Sequence, residues 1–256
     1  MLKIGLVQMI CEKGAIAENR AEIGRQVGAA AERGVEILAF PEMSLTGYAD
    51  PNKFPHAVIR LDGPEVAALL AETRPYPVTI LVGLIEANPA GKPFITHLVA
   101  REGALLGYYR KVTIEDEEVE WFSAGEGVPV FQHNGLTFGL AICADISNER
   151  VFAACARQGA RLVFEVAAPG LYGEQATRNW AAGFEWWSGE CRNYLSRFAR
   201  TYGLWIAVAT QAGWTCDEDF PGGAFVFGPD GREQFATPDW SSGVVYLELE
   251  IEARPV

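Results

Sequence analysis

Apolar residues recur along this chain in two rhythms, strand-length runs and helical faces three to four residues apart, and the opening series returns in the second half. Lys3 to Gln8 reads as a strand, Ala17 to Arg33 as a helix with Ile23, Val27 and Ala30 on one face, and Glu36 to Phe40 as a second strand. Leu136 to Ile142, Asn148 to Gln158 and Arg161 to Val166 repeat that order, with Arg33-Gly34 and Gln158-Gly159 as matching helix stops. Between the two series the pattern predicts a helix near Glu65 to Glu72, a strand from Thr79 to Leu84 and a hairpin from Ile95 to Ala100 and Ala104 to Tyr109. A long amphipathic helix from Asn179 to Tyr202 follows, then strands at Leu204 to Thr210, Ala224 to Phe227 and Val244 to Leu249.

Two sheets, each covered by helices on its outer face, would bury both repeats by packing sheet on sheet. The expectation is therefore an α/β fold in four layers, an αββα sandwich. With 256 residues, about half of them apolar, one core can be large, and no linker or low-complexity stretch divides the chain. Residues 1–256 are read as one domain.

The formal charge of −12 argues against nucleic acid and anionic membranes as partners. Cys11, Cys143, Cys155, Cys191 and Cys216 are odd in number and widely spaced, as expected of reduced thiols in a cytoplasmic protein. With His56, His97 and His133 equally scattered, neither a metal nor a cofactor is expected. The apolar start, Met1 to Ile10, is too short to span a membrane, lacks the features of a signal peptide and reads as the first strand.

Three apolar runs lead directly into reactive side chains. Gly139-Leu140-Ala141-Ile142 runs into Cys143-Ala144-Asp145, Ile37-Leu38-Ala39-Phe40 into Pro41-Glu42, and Leu105-Leu106-Gly107-Tyr108-Tyr109 into Arg110-Lys111. Carboxyl ends of strands form the ligand crevice in open α/β sheets. A thiol there becomes a nucleophile only where neighbours activate it. Taken singly, each has an ordinary reading: a buried filler for Cys143, a loop carboxylate for Glu42, a surface cation for Lys111 and a solvated face for Glu115 to Glu120.

In this order, Phe40-Pro41-Glu42 with Leu45-Thr46-Gly47-Tyr48, Tyr109-Arg110-Lys111, Glu118 before Trp121-Phe122 and Gly125, and Ile142-Cys143-Ala144-Asp145 resemble the nitrilase superfamily of carbon–nitrogen hydrolases. The resemblance extends from Ile4 to Gly231 and implies the same αββα sandwich, with Glu42 and Cys143 meeting at one rim from the two halves. It further implies an amidase-like hydrolase acting on a small linear amide through a cysteine thioester. Cys143 would attack, Glu42 would transfer protons, Lys111 and the backbone N–H of Ala144 would stabilise the oxyanion, and Glu118 would position Lys111 and the attacking water. Alternatives are a nitrile or N-carbamoyl substrate, or a quiet binding or assembly protein that keeps the fold; a Cys-His hydrolase would need a histidine at a rim-facing strand end.

Asp145 is expected to cap the helix that begins near Asn148. Tyr48 and Tyr172 are the candidate substrate-binding residues, and the aromatics from Trp180 to Trp187 are read as core or interface. Ala144 stands where the family often has a large aromatic, and Arg197 to Tyr202 replaces the usual Arg-Ala-x-Glu-Asn stretch. Leu45 to Tyr48 is similar to amidases and to the glutaminase portions of NAD synthases, and at this length no attached synthetase domain is expected. Pairing into a homodimer or larger homo-oligomer is implied by the family.

Overall fold

The first strand, β1 (Leu2–Gln8), alternates Leu2, Ile4 and Leu6 toward one core with Val7 toward another, as a strand covered on both faces must. A computed structural model describes residues 1–171 and 175–251. Candidate residue Tyr172 lies outside the described residues.

After β1 come α1 (Ile16–Glu32), β2 (Ile37–Ala39), β3 (Val58–Ile59), α2 (Pro64–Thr73), β4 (Thr79–Glu86), β5 (Phe94–Arg101) and β6 (Ala104–Arg110). The turn between β5 and β6 places Glu102 and Gly103 at positive φ, the geometry that matches the twist of a two-residue hairpin. The second half runs α3 (Glu118–Trp121), β7 (Val130–His133), β8 (Leu136–Ile142), α4 (Glu149–Arg157), β9 (Leu162–Ala167), α5 (Trp180–Tyr202) and β10 (Trp205–Thr210). It ends with β11 (Ala212–Trp214), β12 (Asp219–Pro221), β13 (Ala224–Phe227), β14 (Glu233–Ala236) and β15 (Gly243–Leu249).

Among the described residues these strands form two large sheets, ordered β15-β1-β2-β4-β5-β6 with β3 beside β4, and β14-β13-β10-β9-β8-β7, plus the small β11-β12 ladder. Leu6, Leu81 and Val99 of the first sheet meet Phe138, Phe164 and Ala207 of the second in a shared core. The outer face of the first sheet packs on Ile23, Val27 and Leu69 of α1 and α2; that of the second packs on Phe152, Cys191 and Phe198 of α4 and α5. The four-layer α/β sandwich expected from the sequence is the observed architecture.

The repeat goes further than its three predicted elements. In one half β1, β2 and β4 run parallel and β5 and β6 follow, each antiparallel to the strand before it; in the other β8, β9 and β10 run parallel and β13 and β14 follow in the same way. The register is shared too. Glu36 N–H donates to Lys3 O at 2.8 Å where Arg161 N–H donates to Thr137 O at 3.0 Å, and Thr79 and Trp205 donate to Glu36 O and Arg161 O at 2.9 Å each. Gly5 faces Leu38 as Gly139 faces Val163. Phe40 thus corresponds to Glu165, Glu42 to Ala167, and Met9 to Cys143.

Candidate active site

Glu42 comes from the segment that leaves β2 at Phe40-Pro41. That segment stays tied to β4: Leu45 N–H donates to Gly83 O at 2.8 Å, Gly83 N–H to Ser44 Oγ at 3.0 Å and Ile85 N–H to Thr46 Oγ1 at 3.1 Å. Gly83 is required here, because a Cβ would run into the backbone N of Met43. The Glu42 side chain is wholly buried, with Oε1 3.0 Å from Lys111 Nζ and Oε2 accepting the Ala168 N–H at 3.1 Å.

Lys111 is the residue after β6. Its backbone is held on both sides, N–H to Ile95 O at 2.9 Å and O from Gly125 N–H at 2.7 Å, and a Cβ on Gly125 would collide with the Arg110 carbonyl. The neighbouring Arg110 points outward, pairs with Glu86 and lies 4.2 Å from the Phe94 ring centroid. Lys111 points inward and is 1% exposed. Its ammonium reaches both oxygens of Glu118 at 2.7 and 2.8 Å. Burial works against that charge, but Glu42, Cys143 and Glu118 outweigh it and hold the lysine pKa well above the usual range.

Glu118 opens α3 and is 5% exposed, whereas Glu115, Glu117 and Glu120 are exposed. Among the four, Glu118 is the one within ion-pair distance of Lys111. Tyr48 donates its hydroxyl to Glu118 Oε1 at 3.0 Å, so this candidate substrate residue lines the cleft with its oxygen engaged. Burial, with Glu118 and Glu42 nearby, keeps the phenol protonated.

Cys143 follows β8 at φ 47°, a left-handed conformation rare for a residue with a side chain and one found at functional turns. The thiol and Ala144 face a cleft of about 640 Å³ whose wall includes Lys111, Glu118, Trp121 and Trp186. Burial, then Glu42, raise the Cys143 pKa well above the ordinary thiol value, so the resting sulfur keeps its proton. Burial also lifts Glu42 to about 7, with Lys111 opposing and Glu118 assisting. A protonated thiol thus stands beside a carboxylate with unusual appetite for a proton. If Glu42 is the base, the acidic limb of a kcat/KM profile should lie near pH 7, with activity rising as pH rises through it; a limb near pH 4 would contradict this.

Asp145 is not the cap expected of it. Asn148 caps α4, its side chain accepting the Arg150 N–H at 3.2 Å. Asp145 is fully buried and accepts Tyr109 Oη at 2.7 Å, Thr113 N–H at 2.9 Å and Ile142 N–H at 3.0 Å. It therefore ties the strand end before Cys143 to the residues flanking Lys111. These long-range partners outcompete a single local N–H because the carboxylate lies inside the fold rather than at its surface. The histidines stand apart from this chemistry: burial pushes His97, in mid-β5, down to about 3, and His133 bonds Thr79 at the start of β4. Among the described residues no group of three or more acidic, His or Cys side chains could hold a metal, and no helix is long and apolar enough to cross a membrane.

A profile described as carbon-nitrogen hydrolase matches residues 3–254. This chain belongs to the carbon-nitrogen hydrolase family. An amidase from Nesterenkonia sp. superposes with a TM-score of 0.82 at 23% identity, covering 97% of this chain and 90% of that one. A glutamine-dependent NAD+ synthetase from Acinetobacter baumannii superposes at 0.80 and 20% identity, covering 96% of this chain but 45% of that one. A formamidase from Pseudomonas syringae pv. tomato is 32% identical over 136 residues, 52% of this chain and 40% of that protein. The carbon-nitrogen hydrolase chain spans about half the length or less of the curated relatives it matches.

Proposed function

We propose that this carbon-nitrogen hydrolase cleaves the C–N bond of a small linear amide through a Cys143 thioester. The observation that carries the reading is the Lys111 ammonium, held between Glu42 and Glu118 in the wall of the cleft onto which Cys143 opens. The amidase and formamidase relatives support an amide, and a Glu-to-Gln mutant of the Nesterenkonia sp. AN1 amidase shows covalent addition of the acetamide moiety of fluoroacetamide at its active-site cysteine.

In this scheme Glu42 accepts the thiol proton as the sulfur attacks the amide carbon. The negative oxygen that develops is met by the Ala144 backbone N–H and by the Lys111 ammonium, which shares with it a proton otherwise held by a carboxylate. Glu42 returns the proton to the nitrogen, the C–N bond breaks, and ammonia or an amine departs. Glu42 then removes a proton from water, the hydroxide adds to the thioester, and the thiolate leaves and recovers its proton as the acid is released. Glu118 keeps Lys111 in place, and Tyr48 keeps Glu118 in place while its ring shapes the substrate side.

Glu42→Gln keeps the shape and loses the base. Its kcat should fall by ~10²-fold or more with KM little changed. Release of ammonia from a panel of short amides, nitriles and N-carbamoyl compounds tests the reading directly. Turnover confined to nitriles or carbamoyl compounds would reassign the substrate, and no turnover with any of them would reject hydrolysis.

A further inference from the structure

Glu165 sits in the middle of β9 within the run Leu162-Val163-Phe164-Glu165-Val166-Ala167, wholly buried, facing the same side as Val163 and Ala167. In the other half of the repeat this place belongs to Phe40, an apolar member of the corresponding sheet–helix core. The fold accepts a hydrocarbon there, so its carboxyl group is not a requirement of the layer packing.

The strand register puts Glu165 beside Ala141, two residues before Cys143, with Val208 on its other flank. The groups that act on it come from every packed element: Asp145 beyond Cys143, Glu42 and Lys111 from the site, Tyr109 of β6 and Cys191 of α5. Neither carboxyl oxygen makes a hydrogen bond, the group lies one strand over from the end of β8 that carries Cys143, and the Cys143 backbone N–H is among the groups that act on it. Resting on the reading of Cys143 as nucleophile, we propose that Glu165 is a positioning residue for it, its carboxyl receiving the Cys143 N–H from beneath and fixing the left-handed turn that presents the sulfur.

The group does this as a neutral acid. An ionised carboxylate without partners would be too costly in this interior, and burial and then Asp145 raise its pKa well above the usual range. Neutrality matters for the chemistry as well, because a further negative charge under the thiol would oppose formation of the thiolate. Its carbonyl oxygen remains available to the backbone N–H.

Three variants separate this role from simple packing. Rates of Cys143 alkylation by iodoacetamide across pH are measured beside kcat and KM for propionamide, with thermal melts as the folding control. Glu165→Leu should remain folded while alkylation and kcat both fall by ~10²-fold at little-changed KM, the scale of a misplaced reacting atom. Glu165→Gln, which keeps an acceptor without charge, should restore both rates to within a few-fold, with the pH profile of alkylation unmoved. Glu165→Met serves in place of Leu should that variant not fold.

Alkylation and turnover as fast in Leu or Met as in the unchanged protein would overturn the proposal. So would a Gln variant as slow as Leu, or a Gln profile displaced along the pH axis, which would mean a charged Glu165. If the unchanged protein hydrolyses no amide while alkylation follows the expected series, the functional reading fails and the positioning role stands. Amide hydrolysis with indifferent Glu165 variants gives the reverse.

Discussion

Cys143→Ala should abolish hydrolysis while leaving the melting behaviour close to that of the parent. In the proposed reaction the lost sulfur is the attacking atom, and the side chain is half-buried at the cleft, so its removal leaves little cavity in the core. The left-handed turn persists because Asp145 still binds Ile142 N–H, Tyr109 and Thr113. Mass spectrometry after iodoacetamide treatment gives the complementary readout: the label should sit on Cys143 and be reduced by prior incubation with substrate. Cys11, Cys155 and Cys191 are buried away from the cleft that Cys143 lines, which leaves exposed Cys216 as the competing site. Full activity with Cys143 replaced would remove the nucleophile from the proposed reaction.

Lys111→Met should do more damage, because it removes catalysis and stability together. The ammonium is the positive group between two buried carboxylates, and deleting one partner of such a cluster costs about 3–5 kcal/mol. For a chain of this size that lowers the melting temperature by on the order of 10 °C. The pH dependence follows from the sign of the change. Without the opposing lysine, burial pushes the folded-state Glu42 carboxyl further above its unfolded value, so the deficit is small at acid pH, where that group is protonated, and grows as pH rises through those values. Combining Lys111→Met with Glu118→Gln should recover part of the lost stability and none of the activity. Lys111→Arg retains the charge but should also fail, since a planar fork cannot take the place of a compact ammonium contacting both carboxylates. A Lys111→Met protein that melts and turns over like the parent would refute both assignments.

The legible parts of this site are those whose cause is local. Cys143, Glu42 and Lys111 each follow an apolar run, so a strand end could be expected beneath them, and Glu118 could be separated from its acidic neighbours by its spacing to Trp121-Phe122. Asp145 was misplaced because a cap needs only adjacent residues, while its actual donors Tyr109 and Thr113 come from another segment and are set by how the two sheets meet. Glu165 carried a signal that went unread: a lone acid within an apolar strand is a burial problem in any fold. The edge strands β7 and β14 were missed for a different reason. Each is four residues long and only partly covered, with no buried residue in β14, too short and too polar a run to stand out beside the apolar central strands. Both lie at sheet margins, where packing on one side suffices.

The shared register of the two halves also explains how so asymmetric a centre can occupy so symmetric a frame. Met9 occupies the place of Cys143, and Ala167 that of Glu42; both are buried and inert. Two identical short chains assembled in the same way would carry a thiol and a carboxylate at both related places, each copy compromising one position to serve the other. Joined in one polypeptide, the halves are free to diverge, one keeping the buried carboxylate and the ammonium, the other the sulfur. The cleft is a division of labour between two near-copies, and each half by itself holds an incomplete set of tools.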